Sequence, residues 1–152
     1  MIDFKSLSPN QRFFLNIVVP LTYLVPLVMA YVGPKDFGFG FRGLVYTGLS
    51  IGALGVLLWI SATWSLGSSL AVLPGTDKLV TKGIYRVFRH PIYIGIVLTL
   101  SGLFLACGSL PCLIYVLVVV IPLNIFRARE EEKVLLEQLG TSYQNYRNST
   151  LF

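Results

Sequence analysis

Apolar residues run almost unbroken through long stretches of this chain, and polar residues gather between them. Three segments carry no Asp, Glu, Lys or Arg: Phe13 to Pro34 with 22 residues, Gly43 to Thr76 with 34, and Pro91 to Phe126 with 36. Each exceeds the roughly 18 apolar residues that mark a membrane-spanning helix. The third is too long for one crossing, because at about 1.5 Å per residue it reaches about 54 Å, against a hydrocarbon core of about 30 Å. It predicts two helices, broken at Cys107-Gly108-Ser109-Leu110-Pro111, where Gly and Pro permit a tight re-entry. The second segment holds one span, followed by an uncharged stretch at the interface. The expected fold class is therefore all-α: a polytopic integral membrane protein with about four transmembrane helices in one domain, 1–152. The spans are expected over 13–33, 43–64, 91–107 and 110–126, with a cytoplasmic loop over 67–90 and a C-terminal cytoplasmic amphipathic helix over 127–140.

The first span is read as a retained helix rather than a signal peptide, since it is longer than the usual apolar region and no Ala-x-Ala site follows. Pro20 and Pro26 are expected to kink it, which neighbouring helices in a membrane can accommodate. Neither end carries a lipidation motif.

Composition agrees with this pattern. Of the 152 residues, 55% are hydrophobic and 12% charged, where a soluble domain carries about a quarter charged. A soluble globule, a disordered chain, a collagen and a disulfide scaffold are excluded. Two Cys and one His are too few for a Cys/His zinc site. Cys107 and Cys112 are spaced to permit a bridge, but small apolar packing residues is the simpler reading.

Charge sets the expected orientation. In the four-span arrangement ten Lys and Arg fall on one side, and only Lys35 and Arg42 on the other. The positive-inside rule then places both termini and the 77–90 loop in the cytoplasm. The +5 balance suits anionic membrane lipids and is mostly topology signal, so no nucleic acid partner is expected.

Gly48, Gly52 and Gly55 form a small-residue stripe in the second span. No dinucleotide or Walker fingerprint accompanies it, so close helix packing is the reading.

Two polar segments remain. The first runs Asp77-Lys-Leu-Val-Thr-Lys-Gly-Ile-Tyr-Arg-Val-Phe-Arg-His-Pro-Ile-Tyr-Ile-Gly95. A basic loop ending in a helix-starting proline accounts for its charge and for Pro91. It leaves unexplained why the only His sits between Arg89 and Pro91, flanked by Tyr85 and Tyr93. A helix opening at Pro91 presents its positive end near Arg89 and His90, a natural place for a carboxylate or phosphate. The second segment follows the last span. Stepping 100° per residue puts Arg127, Glu131, Val134, Leu135 and Leu139 on one broad face, and Glu130, Lys133 and Glu137 on the other. Gly140 is the expected stop. The Arg127/Glu131 spacing suits either a plain salt bridge or a site facing the bundle.

Leu79-Val-x-x-Gly-x-Tyr85, Arg89-His-Pro-x-Tyr-x-Gly95, Arg127-x-x-x-Glu-Glu-x-x-Leu135 and Gly140-x-x-Tyr-x-x-Tyr146 together resemble the isoprenylcysteine carboxyl methyltransferase family. The resemblance extends to the wider group of integral-membrane methyltransferases that includes the phospholipid N-methyltransferases. It covers roughly Leu66 to Tyr146, and its ordered set is more specific than Arg-His-Pro-x-Tyr alone, which membrane sterol reductases share.

The resemblance implies S-adenosylmethionine as methyl donor. Carried over, the cofactor-binding positions are Lys78, Leu79, Val80, Tyr85, His90, Pro91, Ile92, Tyr93 and Glu131, while Asp77 stands where members often have His. Arg127 matches the substrate-side arginine and Glu132 the second acid, the two expected catalytic positions; Arg89 joins Arg127 on the substrate side. The implied activity is carboxyl O-methylation of an isoprenylcysteine-type acceptor, with phospholipid ethanolamine N-methylation as the alternative. Methyl transfer asks the protein to position donor and acceptor and to exclude water, and it needs no metal. A carboxylate acceptor needs Arg127 for orientation, whereas an amine needs a base, for which Glu132 or His90 could serve. The chain is short for the family, so the expectation is that a substrate-enclosing element is either missing or supplied by a second protomer of a homo-oligomer. Two readings of other classes stand beside these: a nicotinamide-dependent membrane reductase and a non-catalytic membrane bundle.

Overall fold

The computed structural model describes residues 17–38, 41–66 and 79–152. Its elements are helices: α1 Val19–Thr22, α2 Val25–Val32, α3 Arg42–Leu66, α4 Pro91–Ala106, α5 Leu110–Leu139 and α6 Thr141–Ser149, with a 3-10 turn at Gly83–Arg86. No sheet occurs among the described residues, which hold one isolated parallel bridge, Phe88 to Leu151.

Proline shapes two of these elements. In the first apolar segment the helix is interrupted between Thr22 and Val25, one turn before Pro26. A proline has no N–H for the carbonyl four residues back and its ring crowds that carbonyl. That carbonyl is Thr22 O, and the Tyr115 hydroxyl donates to it at 3.1 Å. Residues 13–16 of the expected first span lie outside the described residues. In α5 the turn over Val116–Val120 widens to a π-helix just before Pro122, and Ile121 N–H bonds Val116 O five residues back.

Residues 110–126 and 127–140 were expected as a span and a separate amphipathic helix. They form one continuous helix, because no Gly or Pro falls between Leu123 and Leu139 to break it. It ends at Gly140, whose φ of 51° is a conformation that glycine adopts without strain. The chain then enters α6, an element the sequence reading did not include. At the other end, α4 stops at Ala106 and α5 starts at Leu110, so the turn lies in Cys107-Gly108-Ser109. Cys107 and Cys112 are free thiols, and Cys112 Sγ instead accepts from Ser109 Oγ at 3.1 Å.

Helices α3 and α4 pack most closely. A Cβ on Gly48 would stand 2.5 Å from Ala106 N, and one on Gly55 2.5 Å from Thr99 N. Across the contact Gly95 and Gly102 face the same stripe, with Gly102 against Gly52. Two backbones therefore approach to a distance that any side chain would prevent, the packing mode of small residues between membrane helices. A core of Phe104, Cys112, Val116 and Val120 joins α4 to α5, with Tyr23 and Met29 packed against it.

Two helices, α3 and α5, are long and apolar enough to cross a membrane. Only 11% and 22% of their most apolar windows are buried, whereas the core helix of a soluble protein would be mostly buried. Leu49, Leu54, Leu57, Trp64, Leu117 and Val118 stand exposed, an apolar surface that suits lipid rather than water. Helix α4 has 16 residues, about 24 Å.

Candidate functional site

The site forms where the start of α4 meets the polar half of α5. Pro91 occupies the first turn of α4, and His90 is its N-cap residue. The prolyl ring fixes the backbone angle needed to begin a helix and has no N–H to leave unpaired. Both His90 and Pro91 are buried. Tyr93, half a turn on, stacks against the His90 ring with centroids 5.6 Å apart.

Opposite them, α5 contributes Arg127, Glu131 and Glu132. His90 Nε2 lies 3.1 Å from Glu132 Oε1, and Nδ1 lies 3.8 Å from Glu131 Oε2. The Tyr93 hydroxyl donates to Glu131 Oε2 at 3.1 Å. The single histidine is thus held between two adjacent carboxylates. Arg127 does not pair with Glu131 among the described residues. Its guanidinium lies 5.5 Å from the centre of the Tyr93 ring, and its Nε is buried without a hydrogen-bond partner among the described residues. The salt-bridge reading of the Arg127/Glu131 spacing is therefore not what the structure adopts.

Glu132 meets two arginines, one beside the start of α4 and one from α6. Arg89 Nη1 is 3.5 Å from its Oε1, and Arg147 Nε, from α6, is 3.7 Å from its Oε2. A carboxylate that also meets His90 is occupied by neighbours on both oxygens. By contrast, Glu130 pairs with Lys133 at 2.6 Å on the outer face, as a solvated pair.

Helix α6 closes the polar end. The turn at Gly140 brings Tyr143 and Tyr146 inward, where both are buried. Tyr146 donates to Tyr85 O at 2.7 Å, which ties α6 to the 3-10 turn. Burial, with the charge of Glu131 and the neighbouring Tyr146, pushes the Tyr85 hydroxyl above its ordinary range. Burial and the charge of Glu132, opposed by Arg89, do the same for Tyr143. Both remain neutral donors at physiological pH. The chain beyond α6 lies along residues 87–89: Leu151 N bonds Val87 O at 2.8 Å, and Arg89 N bonds Leu151 O at 3.1 Å. This places the Phe152 ring 5.8 Å from that of His90.

Among the carried-over positions, Tyr85, Arg89, His90, Pro91, Tyr93, Arg127, Glu131 and Glu132 gather here. Ile92 is half-buried in the first turn of α4. Val80 is half-buried in the preceding loop, and Leu79 lines a separate cavity of about 360 Å³ with Arg86 and Tyr146. Lys78 and Asp77 lie outside the described residues. Tyr143 entered the sequence analysis only as part of the Gly140-x-x-Tyr-x-x-Tyr146 motif and Arg147 only as a topology charge, and neither they nor Asn124 and Phe152 were given a site role. Asn124 carried a usable signal, since it stands three residues before Arg127 and hence on the same face of the helix.

The residues present fit a sulfonium donor. A carboxylate, Glu131, stands beside the stacked rings of His90 and Tyr93, the two kinds of group that attract a desolvated cation. Arg89, whose Nη1 faces Glu132, has a buried Nε with no hydrogen-bond partner among the described residues.

No curated protein and no solved structure matches the chain. The sequence profile of the family described as phospholipid methyltransferase matches residues 44–142, well over half of its length, and these residues include α4 and all of the α5 contribution to the site. The chain belongs to the phospholipid methyltransferase family, integral-membrane methyltransferases related to the isoprenylcysteine carboxyl methyltransferases.

Proposed function

We propose that this protein transfers a methyl group from S-adenosylmethionine to a lipid-like acceptor at the cytoplasmic face of a membrane that its apolar segments cross four times. The observation that carries this reading is the meeting of Glu131, His90 and Tyr93 with Arg127 at one end of the apolar helices. When bound, S-adenosylmethionine supplies a methyl carbon activated by a sulfonium. Glu131 and the rings of His90 and Tyr93 would hold that cation, and the family resemblance adds Tyr85, Pro91, Ile92, Lys78, Leu79 and Val80 to the residues that would bind the donor. Tyr93 fixes the Glu131 carboxylate through its hydroxyl. Arg127, based on the same ring and with an unpaired Nε, orients an anionic group of the acceptor. Arg89 supports the same end. Glu132, engaged by His90, Arg89 and Arg147, holds His90 and Arg89 in place. A water-soluble donor and a bilayer acceptor both reach a site at this level.

Two acceptors suit Arg127. The carboxylate of an isoprenylcysteine-type substrate would take its fork directly. A phospholipid amine would place its phosphate there, and the family description supports this reading. Membranes containing the protein, incubated with methyl-labelled S-adenosylmethionine, distinguish them: a base-labile methyl ester marks the first and a base-stable N-methyl group the second. S-adenosylmethionine is expected to raise the melting temperature of the detergent-solubilised protein, and Glu131→Gln, which removes the charge facing the sulfonium, to remove that rise. No shift at millimolar ligand and no labelled lipid would refute the proposal.

A further inference from the structure

The groups that would hold the donor are nearly closed off: the side chain of His90 is 5% exposed and that of Glu131 20%. No ligand of nucleoside size meets them unless some covering piece of the chain moves. Among the described residues the covering pieces are α4, the polar half of α5, and residues 150–152 beyond α6. The two helices are joined by the core of Phe104, Cys112, Val116 and Val120, and α6 is anchored by the buried Tyr143 and Tyr146.

Residues 150–152 are held more loosely. Thr150 is extended, with φ −124° and ψ 151°, so the helix stops there. Leu151 N donates to Val87 O at 2.8 Å, and Arg89 N is shared between Leu151 O and Phe152 O, each at 3.1 Å. Their side chains add little burial, since Leu151 is 64% and Phe152 50% exposed. Two hydrogen bonds of ordinary net strength favour such a closed state over an open one by about 5- to 150-fold, the scale of local opening rather than of global unfolding.

Position gives this loose attachment a consequence. Between α4 and α5 lies an apolar groove of about 230 Å³, lined by Tyr93, Val97 and Leu98, by Ile121 and Ile125, and by Phe152. Tyr93 and Phe152 also meet the His90 ring, with centroids 5.6 and 5.8 Å from it. Phe152 therefore stands where the groove reaches the histidine.

We propose that Leu151 and Phe152 form a strap, hinged at Thr150, that shuts the His90 end of the site and opens to admit the reactants. Methyl transfer needs a dry site and also a way in, and a strap that lifts easily meets both demands. The inference rests on the methyltransferase reading for what enters, and on the geometry for the movement.

The chain has a single histidine, so carbethoxylation by diethyl pyrocarbonate, followed by the absorbance of the modified imidazole, reads the exposure of His90. The detergent-solubilised full chain, free of any histidine tag, is used. Phe152→Ala and a chain ended after Thr150 should react about 5-fold or more faster than wild type. Phe152→Leu, which restores bulk, and Leu151→Ala, which keeps the ring and the main-chain bonds, should stay near the wild-type rate. Phe88→Cys with Leu151→Cys, at the two bridge positions, ties the strap down on oxidation. The tied form should react about 5-fold or more slowly than the same protein reduced, with wild type, whose Cys107 and Cys112 are free, as the control for oxidation.

Equal rates in the tied and reduced forms, or in wild type and Phe152→Ala, overturn the inference. If the cysteine pair fails to fold or to link, wild type against the shortened chain decides. A finite ratio supports a strap that opens, whereas equal rates, or a wild type that does not react at all, refute it. Labelled-methyl transfer by the cysteine pair separates the two readings. Transfer undiminished in the tied form sinks the strap alone, and no transfer in either form, with the carbethoxylation rates as expected, sinks the methyltransferase reading alone.

Discussion

The guanidinium of Arg127 rests on the ring of Tyr93, 5.5 Å from its centre, rather than against Glu131 one turn further along the same helix. Tyr93 therefore serves two neighbours at once. Its face carries the arginine, and its hydroxyl donates to the carboxylate. The two charges that helix spacing alone would pair thus both meet one aromatic side chain.

Tyr93→Phe keeps the ring under Arg127 and removes the hydroxyl from Glu131. A hydrogen bond to a charged group is worth about 1.5–3 kcal/mol, so affinity for S-adenosylmethionine, whose sulfonium Glu131 would face, should fall about 10-fold or more. Calorimetric titration of the solubilised protein checks this; an unchanged affinity would show that Glu131 is held without Tyr93.

Glu132→Ala leaves Arg89 and His90 without the carboxylate they share. Removing one member of a buried charged group costs about 3–5 kcal/mol, and the side chains of Glu132, Arg89 and His90 are 17%, 15% and 5% exposed. A large drop in melting temperature is expected. Arg147→Ala, at the 52% exposed end of the same cluster, should cost less than about 1 kcal/mol. Comparable losses in the two variants would contradict this division.

Tyr143 is buried, yet its hydroxyl has no partner among the described residues. Tyr143→Phe should stabilise the protein by about 1 kcal/mol, because an unmade hydrogen bond is removed and the ring is kept. It should also alter alkaline behaviour. Burial first, and the charge of Glu132, raise this phenol in the folded state, while an unfolded tyrosine ionises near pH 10. As pH rises past about 10 the unfolded chain releases its proton first, so this contribution to stability is present below that pH and falls above it. The loss of melting temperature above pH 10 should be shallower in Tyr143→Phe than in wild type.

Gly102→Leu places a side chain where the backbone of Gly52 lies. Overpacking costs about 1–3 kcal/mol where side chains can yield, and more is expected here because the obstacle is main chain. A milder effect than that of Leu98→Ala, in the apolar groove, would show that α3 and α4 can part without harm.

The sequence by itself determined the membrane, the helices and the residue types of the site. Long uncharged runs leave the backbone no choice but helix in lipid, and the glycine stripe of α3 requires a close neighbour. The ordered motifs from Leu79 to Tyr146 identified Arg127, Glu131 and His90 as a set. What only tertiary structure decided was who pairs with whom. Helical periodicity fixes a face but not its partner, so only the structure could show Arg127 over the Tyr93 ring and the Tyr93 hydroxyl on Glu131. Glu132, one residue from Glu131, proved to be the meeting point of α4, α5 and α6 because Gly140 turns the chain back on itself. Asn124 drew no reading from the sequence, and its tie across the bundle becomes visible only when the Tyr23 hydroxyl, about a hundred residues away, is seen to donate to its oxygen.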